Sequence, residues 1–560
     1  MMRKMEKILI KNGLVYDPLN NIEGEVIDIH AENGQIVEKF SNQNDVREID
    51  AKGKTVVPGA IDIHAHIASQ QVNWARLLGT KNEAFKKLWK GITLDDIARD
   101  YVSNGYTFIV EANIFPSLSN FAIFNFQQLP VLDKAMLLNV SNLWALEDEY
   151  QRKKTEDAAG FISDLLTKTK AFGLKVYNPF ENEKWNFNVL REDLAEKGTL
   201  YNFSAVDVYK ILAETNEMLK LPHSIHAHVE GYESQQGKTN LELILNEIKS
   251  LSLNNPSNTN GSRSQIFHLA HASAYNLDGE NDTLIKFFNS NSEFDLDLGV
   301  LSFNEINPLI TSDRRLFKHL SNQSPGEGNK KIIKSAVEFE GDYFVSLRSF
   351  SKKNKSHCVQ WANSLLLALK ITNKWQIQLS YNFPNYSHIN NSADIAAILT
   401  SSRAREDFMK EMTDDFSNKN AIKGDLQNMT FNEYIIVSRA SPAKSLGLGH
   451  IKGNFGVGAD ADINIIDIDA QNLDLEKNYS ELKSALSDIN YVLKGGNVVK
   501  QNDKIDLSAH GQIFWSKGKY SHKDFRSLLQ KKKEFYQKYG SFFYDSLKSS
   551  VNQDLLREIT

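Results

Sequence analysis

Half of the histidines in this 560-residue chain fall in three short clusters. They are His64 and His66; His223, His226 and His228; and His268 and His271. Each cluster lies in or just after a short apolar segment of the kind that forms a buried strand. Neutral imidazole is a common ligand for zinc and related transition ions. The clusters together therefore predict a metal site built from histidine.

The first cluster has a spacing that suits a shared ligand. In Asp62-Ile63-His64-Ala65-His66, residues two apart on a strand would point to the same face. Both rings could then reach one ion, although ordinary core histidines can show the same spacing. The later clusters favour the metal interpretation, because side chains at the carboxyl ends of barrel strands converge on one rim.

Composition narrows the chemistry further. The 65 basic and 70 acidic residues give a net charge of −5, which offers nucleic acid no electrostatic footprint. One cysteine, Cys358, excludes an intramolecular disulfide, an iron–sulfur cluster and a cysteine-built zinc site. The sequence has no apolar run of about 20 residues and no apolar segment behind its basic start, so we expect neither a membrane span nor a secretory signal. A cytoplasmic globular protein with histidine and oxygen ligands is the expectation.

The elements that must position these histidines alternate along the centre of the chain. The predicted strands are TVVPGAIDIHAHI, TFIVEANIF, HSIHAHV and QIFHLAHAS, and the predicted helices are LDDIARDYVSNG, SAVDVYKILAETNEMLKL and NLELILNEIKSLSL. Strand–helix alternation over about 390 residues is typical of an α/β fold with a (β/α)8 barrel.

Both ends of the chain instead predict short strands joined by tight turns. Asn12-Gly13, Asn33-Gly34 and Gly495-Gly496 are the expected hairpin turns. We therefore expect a composite β-sandwich domain from residues 1–56 and 450–504, enclosing a barrel of residues 57–449. We expect residues 505–560 to form a helical C-terminal extension. It would pack on the outside of the barrel or, as the alternative, contact another subunit.

Several segments carry a resemblance to a known family. Val57-Pro58-Gly59-Ala60-Ile61-Asp62-Ile63-His64-Ala65-His66 resembles the opening metal motif of the amidohydrolase superfamily. Within that superfamily, the chain is similar to the A subunit of formylmethanofuran dehydrogenase and its bacterial counterpart in the formyltransferase/hydrolase complex. The similar segments include NGYTFIVEANIFP, LKVYNP, LPHSIHAHV, HLAHASAY, VQWANSLLLAL and SRASPAKSLGLG. The resemblance implies a TIM-like amidohydrolase barrel.

The resemblance also implies a ligand set for two zinc ions. His64 and His66 would bind one ion, and a carboxylated Lys175 would bridge both. His228 and His271 match the ligands from the fifth and sixth strands. The alternative for Lys175 is an ordinary lysine that extends its amine to solvent.

Other positions are assigned on the same resemblance. His226 would be an outer contact of the metal ligands or a substrate contact, whereas His223 and His268 would be structural. Asn73 and Arg76 match residues that would position the substrate amide or the formate product, with a structural supporting role as the alternative.

One position departs from the family pattern. The aspartate that usually binds metal and transfers protons is Asn382, and the histidine after it is Phe383. An amide oxygen can ligate a metal but cannot accept a proton. Loss of this general acid–base catalysis would lower the rate of hydrolysis by roughly 10²–10⁴-fold. Glu230 is a candidate substitute base, with an exposed loop carboxylate as the alternative, and Glu111 is a weaker candidate.

The implied activity is hydrolysis of the formamide bond of N-formylmethanofuran or formylmethylofuran to formate by a zinc-bound hydroxide, or the reverse reaction. A formyltransferase and companion subunits would be the partners, and methanofuran or methylofuran the formyl carrier. Asn382 leaves a second hypothesis open, a catalytically impaired structural or channelling subunit of the same complex. A dihydropyrimidinase-like cyclic amidohydrolase is the third hypothesis, which the family-wide segments disfavour.

Overall fold

The computed structural model describes most of the chain. The described residues are 7–69, 93–180, 193–199, 202–232, 234–253, 263–299, 301–303, 310–311, 333–336, 342–345, 350–383, 387–412, 422, 426–521, 523–540 and 543–559. Within these ranges, no helix combines the length and the apolar character needed to cross a bilayer.

The strands and helices are numbered in chain order. The strands are β1 (Lys7–Asp17), β2 (Ile22–Glu32), β3 (Gln35–Val37), β4 (Val46–Asp50), β5 (Thr55–Pro58), β6 (Ala60–Ala65), β7 (Tyr106–Ile114), β8 (Asp133–Asn139), β9 (Gly173–Tyr177), β10 (Ile225–His228), β11 (Phe267–Leu269), β12 (Phe294–Asp297), β13 (Ile310–Thr311), β14 (Ile333–Ala336), β15 (Asp342–Val345), β16 (Ile377–Gln378), β17 (Ile463–Ile466), β18 (Tyr491–Lys494), β19 (Asn497–Gln501), β20 (Lys504–Ile505), β21 (Ile513–Trp515) and β22 (Leu556–Glu558). The α-helices are α1 (Leu94–Ser103), α2 (Ser119–Gln128), α3 (Glu147–Arg152), α4 (Thr155–Thr169), α5 (Ala205–Met218), α6 (Gly237–Ser250), α7 (Asp282–Ser290), α8 (Lys355–Lys370), α9 (Ser392–Thr400), α10 (Ser402–Met409), α11 (Phe431–Ile435), α12 (Ser441–Ser445), α13 (Tyr479–Ser487) and α14 (Phe525–Tyr539).

Eight parallel strands form the predicted barrel. They run from β6 to β12 in chain order and end with β16. The segment after β16 closes the ring against β6: the backbone N–H of Asn382 donates to the carbonyl of His64 at 3.0 Å, and that of His66 donates to Phe383 at 2.7 Å. The prediction of an α/β barrel is confirmed. The barrel brings the ends of all eight strands to one rim.

Local sequence signals start several of the flanking helices. Thr93 caps α1, where its hydroxyl accepts from the backbone N–H of Asp96 and the Asp96 carboxylate accepts in return. Ser204 and Asp207 form the same reciprocal cap on α5. Such caps satisfy backbone N–H groups that have no partner within the helix. The predicted helices in these two segments are therefore confirmed.

Both ends of the chain contribute to one mixed sheet of nine strands. Its main path runs β20, β19, β18, β17, β5, β1, β2, β3, and β4 pairs with β1. Asn33-Gly34 joins β2 to β3 and Gly495-Gly496 joins β18 to β19, as the sequence predicts. The three strands β13 to β15 form a small antiparallel sheet.

The hairpin predicted at Asn12-Gly13 is wrong. The eleven residues of β1 form one continuous strand with a bulge, in which Ile10 pairs with Ile29 and Gly13 with Ile27. Asn12 absorbs the extra residue at φ 59°, a backbone conformation that asparagine tolerates. Gly13 is needed for close packing, since a Cβ there would lie 2.5 Å from Cγ2 of Val56.

The single strand predicted for residues 55–67 is divided between two sheets. β5 pairs with β1 and β17 in the mixed sheet, and β6 pairs with β7 in the barrel. Gly59 lies at the junction, where its N–H donates to Asp462 while the next N–H, of Ala60, donates to Gly105. A Cβ on Gly59 would lie 2.3 Å from Oγ1 of Thr107, so only glycine fits without displacement.

The C-terminal extension is helical only in part. On α14, Lys532 donates to Glu149 of α3 at 2.6 Å, which holds the helix against the outside of the barrel. The extension also adds two strands to the barrel sheet: β21 pairs parallel with β8, and β22 pairs parallel with β21. Helical periodicity could not reveal these three-residue strands.

A buried ion cluster lies between the barrel and the mixed sheet. Lys452 Nζ lies 2.5 Å from Asp133 and 2.6 Å from Asp462, and Lys494 Nζ lies 2.8 and 3.0 Å from the same two carboxylates. Burial alone would raise the pKa of Asp133, but the two ammonium groups lower it below its ordinary value. The cluster thus links β8 of the barrel to β18 and to the segment before β17.

Candidate metal centre

Three of the predicted ligands converge at the carboxyl ends of the barrel strands. One ring nitrogen from each of His64, His228 and His271 lies within 4.8 Å of the others, and all three residues are buried. His64 is on β6, His228 ends β10, and His271 follows β11 at φ 51°. Three nitrogens at this spacing can bind one zinc-like ion.

His66 lies beside this group and has a carboxylate partner. Its ring centroid is 5.3 Å from that of His64, and its Nδ1 lies 3.3 Å from Oε1 of Glu111. The other oxygen of Glu111 accepts from the backbone N–H of Ala68 at 2.7 Å. With its Nδ1 proton directed at Glu111, His66 would have Nε2 free to bind a metal ion. Glu111 is fully buried, and its contacts suit the orientation of His66 better than the role of a free base.

Lys175 lies on the fourth barrel strand with its amine in the interior. The residue is 1% exposed, and among the described residues Nζ has no hydrogen-bond partner. Burial lowers the pKa of this amine well below its ordinary value, although Asp297 and Glu111 oppose the shift. A lysine that extends to solvent would keep its amine in water. The solvent-directed alternative is therefore wrong for Lys175.

The unsatisfied atoms around the rim fit a metal site. His64 Nε2, His228 Nδ1, Lys175 Nζ and Asn382 Oδ1 are buried without a hydrogen-bond partner in the described part of the chain. Each such group costs about 1–3 kcal/mol when it stays unpaired. Metal ions, together with a carbamate on Lys175, would give these atoms partners and offset that cost.

Asp297 is the functional candidate that sequence reasoning missed. It ends β12 and is fully buried, with Oδ2 3.3 Å from Nδ1 of His64 and Oδ1 3.2 Å from Nδ1 of His271. Ser380 donates to it at 2.7 Å, and the backbone N–H of His271 donates at 3.1 Å. Burial would raise the pKa of Asp297, but His271, His268 and His64 lower it well below its ordinary value.

A signal for Asp297 is present in the sequence. Phe294-Asp295-Leu296-Asp297 alternates apolar and acidic residues, which places both carboxylates on one face of a strand. The family pattern instead places the expected aspartate at the last strand, where this chain has Asn382. The structure has a carboxylate at the end of the seventh strand, where it contacts two predicted ligands.

Asn382, at the expected aspartate position, and Glu230, the candidate substitute base, are both buried. Asn382 lies beside His64 at φ 47°, with its side chain inside the rim. Glu230 follows β10 and is only 2% exposed, so the exposed-loop alternative is wrong. Its backbone carbonyl accepts from Nδ2 of Asn240 at 3.0 Å. Asn73 and Arg76, predicted to position substrate, lie outside the described residues.

The other histidines of the three clusters, His223, His226 and His268, form a layer beneath the rim. His226 Nε2 lies 3.0 Å from His64 Nδ1, and His226 Nδ1 lies 3.1 Å from His223 Nε2. Because both ring nitrogens of His226 face other histidines, the geometry favours an outer contact of the ligands over a substrate contact. His268 lies between two carboxylates, Asp295 at 3.0 Å and Asp297 at 3.3 Å.

Comparisons with known proteins agree with this architecture. A model described as the amidohydrolase family matches residues 384–500. The chain is 28% identical to "Protein FwdA" of Methanocaldococcus jannaschii over 527 residues, which cover 90% of both chains. It is 24% identical to the A subunit of the formyltransferase/hydrolase complex Fhc of Methylorubrum extorquens over 514 residues, 88% of this chain and 89% of the relative.

A solved structure covers nearly the whole chain. It is the X-ray structure of the formyltransferase/hydrolase complex (FhcABCD) from Methylorubrum extorquens in complex with methylofuran. One of its chains aligns with a TM-score of 0.85 at 20% identity, covering 99% of both chains. The fold class predicted from the sequence is thereby confirmed.

Proposed function

We propose that this chain, an amidohydrolase-fold homologue of FwdA and of the Fhc A subunit, hydrolyses a formamide bond in a multisubunit complex. The substrate would be N-formylmethanofuran or formylmethylofuran, and the products formate and the free carrier; the reverse reaction would form the same bond. The observation that carries the proposal is the buried convergence of His64, His228 and His271, with the buried Lys175 on the strand that pairs with that of His228. A formyltransferase and its companion subunits would be the partners.

The proposed ligands are His64, His66, His228, His271 and a carboxylated Lys175. When bound, two zinc ions would supply an acidified water molecule and polarise the formyl carbonyl. The chain's own part begins with Lys175, because burial lowers the pKa of its amine and so favours the neutral, nucleophilic form. That nitrogen can bond to the carbon of CO2 and release a proton to water, and the resulting carbamate offers two oxygens that share one negative charge.

Carboxylates behind the ligands set their orientation. Asp297 contacts His64 and His271, and Glu111 contacts His66, in each case at Nδ1. With Nδ1 engaged in this way, Nε2 is the ring nitrogen that His64 and His66 would offer to a metal ion. Outer partners of this kind fix the tautomer and raise the basicity of a ligating imidazole.

Asn382 gives the proposal its second candidate, a structural or channelling subunit with impaired hydrolysis. Its buried amide can present Oδ1 to a metal or to the substrate, but it cannot take a proton from water. Glu230 is the carboxylate that we propose as a substitute, since it is buried just after the strand that carries His228. The working hydrolase and the impaired subunit would have the same metal site and would differ only in the rate of hydrolysis.

The test uses the purified complex, with zinc per chain and formate release as readouts. We expect about two zinc ions per chain, the number that a dinuclear hydrolase site needs. Lys175→Met should lose zinc and formate release. Lys134→Met is the matched control, because Lys134 is also a buried lysine, and its amine donates to the carbonyls of Leu129 and Gly511 instead.

Each outcome has a distinct meaning. If Lys175→Met keeps its zinc and its rate, the proposed metal centre is wrong. Wild-type complex that holds zinc but releases no formate above the uncatalysed rate would support the impaired subunit. Ring opening of a dihydropyrimidine, without formate release from the formylated carriers, would instead favour a cyclic amidohydrolase.

A further inference from the structure

We infer that His223 and His226 form a relay of hydrogen bonds that fixes the tautomer of His64 and thereby sets the metal affinity of the site. The inference rests on the proposed metal centre and adds two positioning residues to it. Neither residue is among the proposed ligands, and both are completely buried.

The relay starts at a backbone carbonyl and ends at a proposed ligand. His223 Nδ1 lies 2.8 Å from the carbonyl oxygen of Ser445, and His223 Nε2 lies 3.1 Å from His226 Nδ1. His226 Nε2 in turn lies 3.0 Å from His64 Nδ1. All three distances are those of hydrogen bonds, and each contact holds one proton.

Proton counting gives the relay a direction. The carbonyl of Ser445 can only accept, so His223 must carry its proton on Nδ1. A neutral His223 then accepts at Nε2, which requires the proton of His226 on Nδ1. His226 likewise accepts at Nε2, which requires the proton of His64 on Nδ1.

The result of this order is a bare Nε2 on His64. That atom is buried without a hydrogen-bond partner in the described structure, which suits a lone pair directed at a metal ion. His223 and His226 are completely buried, and an unpaired charge is costly in such a position, which favours neutral rings. Asp297 supports the same tautomer, because its carboxylate, 3.3 Å from His64 Nδ1, also needs a donor there.

A third metal ion is the rival explanation for this layer, since ring nitrogens of His223, His226 and His268 lie within 4.8 Å of one another. The contacts of His268 disfavour it. Its two ring nitrogens face the carboxylates of Asp295 at 3.0 Å and Asp297 at 3.3 Å, which accept hydrogen bonds, so neither nitrogen offers a lone pair to an ion. Both nitrogens of His226 are also engaged, which leaves no lone pair for an ion.

The test is the zinc affinity of the purified complex, measured by competition with a chelator. His226→Phe removes the acceptor for His64 and should weaken zinc binding by about 10–100-fold, the usual effect of losing an outer partner. His223→Phe touches no proposed ligand, yet the relay predicts a smaller loss in the same direction. His226→Gln should retain more affinity than His226→Phe, because an amide can both donate and accept.

His357→Phe is the matched control. His357, on α8, is a buried histidine whose Nδ1 accepts from the backbone N–H of Ser351 and whose ring stacks on Phe350. Its replacement should leave zinc affinity unchanged. If either phenylalanine variant does not fold, His223→Gln and His226→Gln provide the same comparison.

The outcomes separate the relay from the proposed function. Unchanged zinc affinity in folded His223 and His226 variants would overturn the relay and leave the proposed function intact. A wild-type complex that binds no zinc would overturn both. An additional zinc ion that disappears in His223→Phe would replace the relay with a third metal site.

Discussion

The backbone N–H of Asn382 donates to the carbonyl oxygen of His64 across 3.0 Å, where the barrel closes. This bond holds Asn382 directly beside His64, the first proposed ligand. Asn382 stands where the family resemblance leads us to expect the proton-transferring aspartate. The side chain of Asn382 is buried, and its Oδ1 has no hydrogen-bond partner among the described residues. The backbone therefore brings Asn382 beside His64, and its amide cannot accept the proton that the aspartate expected at this position would take.

Asn382→Asp should accelerate formate release. A restored general base is worth roughly 10²–10⁴ in rate, and we expect a gain of at least about tenfold. The measurement is kcat for formate release by the purified complex at matched zinc content. Asn178→Asp is the control, since Asn178 is also buried at positive φ and its side chain likewise lacks a hydrogen-bond partner in the described structure.

Only the Asn382 variant should gain rate. A gain below about tenfold would show that proton transfer at this position does not limit the reaction. Equal gains in both variants would point to the added negative charge instead of a positioned base.

Asp297→Asn should weaken metal binding. The amide has the same shape but lacks the charge that faces His64 and His271, and losses of about 10–100-fold in zinc affinity follow from such changes. Chelator competition measures the effect. Asp295→Asn is the matched control, because Asp295 bonds to His268 and Gln378, neither of which is a proposed ligand. A larger loss in the control would contradict the role given to Asp297.

The sequence predicted the candidate ligands that depend on local spacing. His64 and His66 follow the alternation of a strand, and the later histidines lie in or after apolar runs that form β10 and β11. The contacts of Asp297 form only when the barrel closes, because its partners come from other strands of the barrel. Local patterns do not show which strand ends will meet, so the contacts of Asp297 become visible only in the folded barrel.

The same limit explains the errors in the fold. Asn12-Gly13 has the composition of a tight turn, but the long partner strand β2 forces it into a bulge. The junction at Gly59 is invisible to a period-two pattern, because β5 and β6 continue the same alternation in different sheets. β21 has three residues and is defined by its pairing with β8, where Phe514 lies opposite Ala135. A pairing between such distant parts of the chain cannot be predicted from local periodicity.

Asp133→Asn should destabilise the link between barrel and mixed sheet. The pKa of Asp133 is lower in the folded protein than its unfolded value of about 3.9. Its contribution to the free energy of unfolding is therefore present above about pH 4 and is lost as pH falls towards the folded pKa. At pH 7, removing one partner from such a buried cluster should cost about 3–5 kcal/mol.

Urea unfolding at a series of pH values measures this effect. The difference between wild type and Asp133→Asn should narrow below about pH 4, where the unfolded carboxyl binds a proton. Asp278→Asn is the surface control, since Asp278 is half exposed and pairs with Lys238 at 3.3 Å. A difference for Asp133→Asn that stays constant with pH would contradict the ion cluster as its cause.

Formate release before and after metal removal shows whether the proposed metal ions are needed for hydrolysis. The purified complex is assayed with N-formylmethanofuran and with formylmethylofuran, stripped by a chelator, and assayed again after zinc is returned. We expect the rate to disappear with the metal and to return with about two zinc ions per chain. Undiminished formate release by the metal-free complex would show that hydrolysis does not use the proposed metal ions.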